Sequence, residues 1–428
     1  MQTAYRPIRV ALLGAGSVGS QVARLLIENR DELAQRVGTD VELAGVLVRD
    51  PNLTRDAVIP KNLLTSDAEK LILGSDIVIE LLGGIEPAKT YVRMALESGA
   101  DVVTANKALI AAHGPELFDL AEQLGAQLYF EAAVGGAIPI IRPLRESLAG
   151  DKVNRVMGIV NGTTNFILDR MESTGADFDE ALAEATALGY AEADPTADIE
   201  GFDAASKAAI LASLAFHSEV PVEKVYREGI SAITAITIET ARQAGYTVKL
   251  LAICERVGEG LVARVHPTLI PLTHPLAAVR GAYNAVFVEA ESAGQLMFYG
   301  AGAGGTQTAS AVLGDLVSAA KRHLAGGPGL SDSVHADLES LPVQEIETRY
   351  QITLQVLDLP GVLASIASIF ATHDVSVETV SQTPAEEDAL LTVMTHRASE
   401  SDLEQVVASL RKNEAVRNVT SVIRVEGM

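Results

Sequence analysis

Over the first third of the chain, short apolar runs alternate with stretches of helical period. IRVALL (8–13) ends in glycines, and Val18, Val22, Leu25 and Leu26 then recur at helical spacing, which predicts a strand, a turn and a helix. VELAGVLV (41–48), DIVIELL (76–82), DVVTA (101–105) and QLYFEAA (127–133) read as further strands with helical segments between them. This alternation predicts an α/β fold, a Rossmann-like doubly wound parallel sheet over residues 1–139.

After Pro139 the pattern lengthens into helices at 142–149, 163–174, 178–188 and 203–217, with strand-like runs at 153–160 and 262–270. A second, α+β domain over 140–325 follows. Its last helix, 306–325, is apolar enough to close back onto the first domain. The stretch GGPGLSD (326–332) and the polar residues after it predict a linker over 326–347. From 348 to 428 the order is strand (350–357), helix (361–372), strand (375–382), strand (388–396), helix (400–412), strand (416–425), a ferredoxin-like βαββαβ unit.

Composition narrows the class. With 428 residues, 48% hydrophobic and 21% charged, the chain can bury several cores. A net charge of -23, from 33 basic against 56 acidic residues, argues against nucleic acid as a partner and leaves room only for a local positive cleft. One cysteine, Cys254, forms no intrachain disulfide and is expected to be a buried, inert thiol in a reducing cytoplasm. The N-terminal apolar run is broken by Gly and Ser and reads as a strand, not a signal. No stretch reaches the ~20 apolar residues of a membrane span.

Gly14, Gly16 and Gly19 form G-x-G-x-x-G between the first strand and helix, where glycine permits a tight turn and close approach of a pyrophosphate to helix amides. The second strand ends Val48, Arg49, Asp50. Arg49 can pair a ribose 2′-phosphate, which favours NADP, while Asp50 one residue on leaves NAD open. In TANKALI (104–110) Lys107 falls at the carboxyl edge of the sheet, where an ammonium can hold a carboxylate or a cofactor group. The glycine-rich GAGAGGT (300–306) is either a connector or a second backbone approach to the cofactor.

The densest chemistry lies in LGYAEADPTADIEGFDAASK (188–207). Asp203 and Lys207, spaced i, i+4, share one helical face, and the alanines and apolar residues around Lys207 predict a largely buried helix. A buried lysine held charged by its carboxylate partner suits a general acid for the alkoxide formed when hydride reaches an aldehyde. Glu192, Asp194 and Asp198 can bind a substrate ammonium; a metal cluster is the rival, without a histidine to join it. NGTTNFIL (161–168) enters a helix, so Thr163 and Thr164 either hold a carboxylate or, with Asn161, cap the helix. EAAVGGAIP (131–139) sets an acid beside exposed backbone around two glycines, where carbonyls can bind a hard cation.

Taken in order, GAGSVG, TANKALI, EAAVGGAIPII, NGTTNFIL, LGYAEADPTADIEGFDAASK and FYGAGAGGTQTASAV resemble homoserine dehydrogenases, and the resemblance covers essentially the whole chain. It implies interconversion of L-aspartate 4-semialdehyde and L-homoserine with NADP or NAD. Lys207 would be proton donor and acceptor with Asp203 beside it. Glu192 and Asp203 would hold the substrate's amino end, near Tyr190, Thr164 and Asp198, with Lys107 at the cofactor–substrate junction. Cofactor contacts would fall on Gly14, Ala15, Gly16, Ser17, Val18, Gly19, Arg49, Thr104, Lys107, Gly189 and Gly305. The resemblance also implies a monovalent cation, sodium, on Glu131, Val134, Gly136 and Ile138 through backbone oxygens, and a homodimer or higher homo-oligomer through the second domain. Without a kinase segment, the enzyme is expected to be monofunctional.

The tail resembles an ACT domain, which implies an amino-acid effector, threonine, at the turn Asp358, Leu359, Pro360, Gly361. A dimerisation module without ligand is the alternative there. Two other functions stay open: a dehydrogenase for another small amino or hydroxy acid, and a non-catalytic sensor of dinucleotide and amino acid.

Overall fold

The computed structural model describes residues 6–53, 59–326, 334–385 and 388–427. Residues 327–333, most of the GGPGLSD stretch, and the five positions before Arg6 lie outside the described residues. In chain order the elements begin β1 (Ile8–Leu13), α1 (Ser17–Glu28), α2 (Arg30–Val37), β2 (Val41–Leu47), β3 (Leu64–Thr65), α3 (Ala68–Leu73), β4 (Ile77–Glu80), α4 (Ala88–Glu97), β5 (Asp101–Thr104), α5 (Lys107–Leu124) and β6 (Leu128–Tyr129). Next come β7 (Val153–Ile159), α6 (Gly162–Thr174), α7 (Phe178–Ala187), α8 (Thr196–Ile199), α9 (Phe202–Phe216), β8 (Tyr226–Arg227), α10 (Ala235–Gln243), β9 (Tyr246–Val257) and β10 (Gly260–Pro271). Then follow β11 (Tyr283–Ala290), β12 (Gly294–Ala301), α11 (Gly305–Ala325), β13 (Glu339–Ser340), β14 (Glu347–Leu357), α12 (Val362–Thr372), β15 (Val377–Ala385), β16 (Asp388–Thr395), β17 (Ala398–Ser399), α13 (Glu400–Leu410) and β18 (Val416–Val425).

The chain divides into two compact units, one of residues 1–153, 209–222 and 290–337, the other of 154–208, 223–289 and 338–428. In the first unit a six-stranded sheet has the order β3-β2-β1-β4-β5-β6 and every pairing is parallel. Most positions of its strands are buried, those of β4 and β5 at every residue, and they read as near-continuous apolar runs. β1 and β4 are neighbours at the point where the strand order reverses, which opens a crevice at their carboxyl ends. Helix α11 lays Ala309, Val312, Leu316, Ala319 and Ala320 into the same core as Val10, Leu12, Val22 and Ala23. The small alanines let its backbone come close, so a segment nearly three hundred residues away completes this core.

One predicted strand is shorter than expected. QLYFEAA holds strand geometry only at Leu128–Tyr129, and Glu131–Ala133 turns sharply. The cause is the Glu131 carboxylate, whose Oε1 accepts the N–H groups of Ile140 at 2.6 Å and Ile141 at 2.8 Å. Folding the chain back to make these bonds ends the strand. The helix expected at 142–149 is present in a widened form, a π-helix over Pro143–Ser147, and the amide at its entry, that of Arg142, is held by the Glu131 carboxylate.

In the second unit the strands run β11-β7-β9-β10-β18-β14-β16-β15. β9 and β10 form a twelve-pair antiparallel ladder, and β18 joins β10 in parallel at Thr268↔Arg424 and Leu269↔Val425. From β14 to β18 the order is the expected βαββαβ, with Ile352, Leu354, Ile366, Phe370, Leu391, Leu403 and Leu410 as core. The end of the stretch read as a linker is packed instead: β13 pairs β10, and Val343 and Ile346 are buried against Val262. Three apolar side chains within six residues, at Leu341, Val343 and Ile346, cause this.

Candidate functional site

The three glycines of the first turn have different surroundings. A Cβ on Gly14, which has φ +109°, would lie 2.9 Å from the Leu81 carbonyl oxygen, and one on Gly19 would lie 2.1 Å from that of Gly14. These two let strand and helix approach. A Cβ on Gly16 would meet nothing within 4 Å, so its open side is where another molecule can reach the backbone. Gly305, at the start of α11, fits against Ser17 at the start of α1: a Cβ there would lie 2.9 Å from the Ser17 carbonyl oxygen. Two helix N-termini, each with unpaired amides and a positive end, therefore meet at one turn, a cradle that fits a pyrophosphate. Ser17 is exposed, while Ala15 and Val18 are partly buried and pack on the core.

At the end of β2 Arg49 is exposed, and Asp50 Oδ1 accepts the Asn52 amide at 2.8 Å. The carboxylate that would compete with a 2′-phosphate is thus turned onto its own loop. At the edge of β5 Thr104 donates to buried Glu80 at 2.6 Å, and its oxygen accepts the Asn106 amide at 3.0 Å. Asn106 caps α5 through the Leu109 amide and donates to the Gly84 carbonyl. This chain of bonds places exposed Lys107 in the first turn of α5. Glu80 was not singled out from sequence; an acid inside an otherwise apolar strand was the available signal.

The segment 131–138 is buried rather than exposed, which corrects the sequence expectation. Glu131 is 1% exposed and Val134 0%. Its carboxylate is fully engaged, Oε2 taking the Arg142 amide at 2.9 Å and guanidinium at 3.0 Å. Asp315 Oδ2 accepts the Glu131 amide at 2.8 Å, and burial together with the Glu131 charge pushes the Asp315 carboxyl up to about 7. Gly136, with φ +58°, has no room for a Cβ, which would lie 2.4 Å from the Gly302 carbonyl oxygen. No hydrogen bond to the carbonyl oxygens of Val134, Gly136 or Ile138 is found among the described residues. Any cation here would rely on carbonyls, a donor set that fits a monovalent ion. No cluster of three or more His, Cys, Asp or Glu suited to a metal occurs among the described residues.

In the second unit one cluster gathers most of the predicted chemistry. Helix α9 buries Ala204, Ala205, Ala208 and Ala209, and Lys207 and Asp203 are 8% and 7% exposed. Lys207 Nζ donates to Asp203 Oδ2 at 2.7 Å and to the Val160 carbonyl at 2.6 Å, which leaves a third N–H. Asn161 Nδ2 bridges Asp198 Oδ1 at 2.7 Å and Asp203 Oδ2 at 2.9 Å. Its Oδ1 accepts the Thr164 amide at 2.9 Å, so one residue both caps α6 and fixes the two acids.

The remaining sequence-named residues take other roles. Thr164 is buried and donates its hydroxyl to Asn161, while Thr163 donates to the Tyr190 carbonyl at 2.7 Å. Both shape the loop instead of offering hydroxyl donors to a carboxylate, as sequence had allowed. Tyr190 is 46% exposed with its ring 4.9 Å from that of Phe166. Gly189 takes φ +78° just before it, and Glu192 is exposed. Asp194 caps its own turn, and the hydrogen bonds from Thr196 hold its carboxyl below the usual range.

Behind α6, Lys249 on β9 is fully buried and donates to the Asn165 side chain at 3.1 Å and the Val279 carbonyl at 2.7 Å. No carboxylate among the described residues touches it, and desolvation lowers its pKa to about 8. Cys254 is buried beside the Ala208 carbonyl, and burial raises its thiol to about 12, so it stays protonated as expected. In the C-terminal unit Gly361, φ +94°, ends the turn after β14, where Asp358 accepts from Gln382 at 3.3 Å and Pro360 is exposed. No helix among the described residues is long and apolar enough to cross a membrane.

Family comparisons agree with this geometry. The model of the homoserine dehydrogenase NAD-binding domain matches residues 14–131, that of homoserine dehydrogenase 139–317, and that of the ACT domain 350–415. The homoserine dehydrogenase of Corynebacterium glutamicum is 55% identical over 426 residues, covering 98% of this chain and 96% of its own. That of Mycobacterium tuberculosis is 52% identical over 435 residues, covering 99% and 98%. The crystal structure of a homoserine dehydrogenase from Thiobacillus denitrificans superposes with a TM-score of 0.93 at 41% identity over 99% of both chains. A hyperthermophilic archaeal homoserine dehydrogenase solved in complex with NADPH shares 28% identity with a TM-score of 0.63, over 76% of this chain and 99% of its own. The chain belongs to the homoserine dehydrogenase family, oxidoreductases with an NAD-binding domain, and it carries an ACT domain at its C-terminal end.

Proposed function

We propose that this chain reduces L-aspartate 4-semialdehyde to L-homoserine with Lys207 as the proton donor. The observation that carries the reading is the Lys207 ammonium, clamped by Asp203 and the Val160 carbonyl with one N–H to offer. The nicotinamide ring, when bound, supplies the hydride. As negative charge grows on the aldehyde oxygen, Lys207 donates the proton of its third N–H to it and takes one back from solvent after product leaves, while Asp203 keeps the amine oriented. Asp203 and Asp198, fixed by Asn161, would attract the substrate ammonium, with exposed Glu192 and Tyr190 at the rim. Gly14 to Gly19 and Gly305 would hold the pyrophosphate, and Lys107 and Thr104 the sheet edge beside it. Arg49 would pair a 2′-phosphate, so NADP is the preferred dinucleotide.

The carbonyls of Glu131, Val134, Gly136 and Ile138 would hold sodium, Asp358, Pro360 and Gly361 would take threonine as feedback inhibitor, and the enzyme would work in the cytoplasm as a homodimer or larger homo-oligomer. The test is Lys207→Ala. Turnover of homoserine should fall by ~10²- to 10⁴-fold, the usual value of a placed acid, while dinucleotide affinity measured by fluorescence stays unchanged. Near-normal turnover in this variant would falsify the assignment.

A further inference from the structure

Within the first unit, between α1 and α2 on one side and α11 on the other, lies a cavity of about 680 Å3. None of its described lining residues belongs to the Lys207 cluster or to the glycine turn. Along α11, Thr306, Ser310, Gly314 and Ser318 follow at steps of four, and Leu313, Val317 and Lys321 do the same in the adjoining row, so one face of the helix forms a wall. Its core-facing residues Ala309, Val312 and Leu316 lie on a different face.

Arg142 enters this space from the side. Its Nε donates to Glu131 Oε2 at 3.0 Å and its Nη1 donates to Ser318 Oγ at 3.5 Å, so the guanidinium is held in place. Nη2 has no partner among the described residues and rests against Gly314, where a Cβ would lie 2.8 Å from it. Glycine in the interior of a helix weakens it, yet Gly314 stands in the middle of the 21 residues of α11. Its bare backbone gives the open edge of the guanidinium room in the cavity. Lys321, one turn beyond Ser318 on the same face, is exposed and has no hydrogen bond or ion pair among the described residues. A third cation, Arg36, is paired with Glu32, the one acid among the described lining residues. The Glu131 charge behind Arg142 is buried and shared among backbone amides. In a chain with 33 basic and 56 acidic residues, two unopposed cations flanking one serine are a local reversal of sign.

A planar guanidinium edge and an ammonium on either side of a hydroxyl match the oxygens of a phosphate monoester, which carries nearly two negative charges at neutral pH. A single carboxylate would leave one of the two cations unmatched. Beside them Leu25, Leu33, Leu313 and Val317 form an apolar surface that inorganic phosphate would not cover. The volume falls within the ~300 to 1,000 Å3 usual for small-molecule sites. We infer that this cavity binds a small phosphate monoester with a compact apolar body, its phosphate between Arg142 and Lys321 at Ser318 and its body on the leucines.

The test is calorimetry on the full chain with 1-naphthyl phosphate as the probe and inorganic phosphate and 1-naphthoate as controls, with and without saturating NADP. Thr306 is the neighbour of Gly305, so the titration with NADP present keeps the probe out of the pyrophosphate cradle. Naphthyl phosphate should bind at one site per chain, at least tenfold more tightly than either control, with NADP present. Lys321→Ala, and Ser310→Trp, which fills the space from an exposed position, should each weaken it at least tenfold. Both should keep the basal rate of homoserine oxidation, which serves as their folding control. The proposal is overturned if the probe does not bind, if either control binds as tightly, if NADP abolishes the binding, or if the affinity survives either variant. Calorimetry does not use the catalytic group, so the outcome is independent of the role of Lys207.

Discussion

Lys207 and Asp203 face each other across one turn of an alanine-rich helix, 2.7 Å apart and almost wholly out of water. Removing one partner of such a pair leaves a buried charge, at a cost of about 3 to 5 kcal/mol. Lys207→Met alone should therefore lower the urea midpoint sharply, and Asp203→Leu added to it should restore most of the loss without restoring turnover. A double variant as unstable as the single one would show that the pair itself holds the helix.

The glycine turn separates folding from binding. Gly19→Ala forces a contact of 2.1 Å onto the Gly14 carbonyl and should lower the melting temperature by several degrees. Gly16→Ala should melt like wild type yet lose dinucleotide affinity, since its methyl would stand in the open side of the cradle. Equal effects of the two on stability would refute the distinction.

Lys249 imposes a pH dependence on stability. Its amine has pKa 10.5 in the unfolded chain and about 8 in the fold. Below the lower value both states carry the proton and the folded state bears the burial penalty. Between the two values the unfolded chain holds a proton that the folded chain has released, so unfolding free energy rises with pH across this window. Urea midpoints at intervals from neutral to strongly alkaline pH should show this rise in wild type and a flatter profile in Lys249→Met.

Arg49 should decide between dinucleotides. Arg49→Gln should reduce kcat/KM with NADPH by roughly ten- to a hundredfold, the ~1.5 to 3 kcal/mol of a charged hydrogen bond, and leave the NADH value nearly unchanged. A parallel fall with both cofactors would mean that the arginine does not read the ribose.

How much was legible beforehand follows from what each pattern depends on. The Rossmann-like strands and the βαββαβ tail were readable because apolar runs bounded by glycine or proline carry their own punctuation. β9 was not: Lys249 interrupts its apolar run, Glu255 and Arg256 close it, and no alternation marks a face. Asn161 was read as one of two possibilities, a cap, and proved to be a cap that also ties Asp198 to Asp203. Asp315 gave no local signal, because its partner Glu131 lies on a distant segment of the chain.

Sequence by itself determined the glycine turn, the i, i+4 acid–lysine pair and the type of the main elements in the first domain and the tail, since these depend on neighbours along the chain. Only the tertiary structure decided that Glu131 is consumed by backbone amides, that α11 returns to the first core, and that Arg142 holds Glu131 with one edge and lines a cavity beside α11 with the other. Those relations join residues far apart in sequence. Packing, not local spacing, brings them within bonding distance.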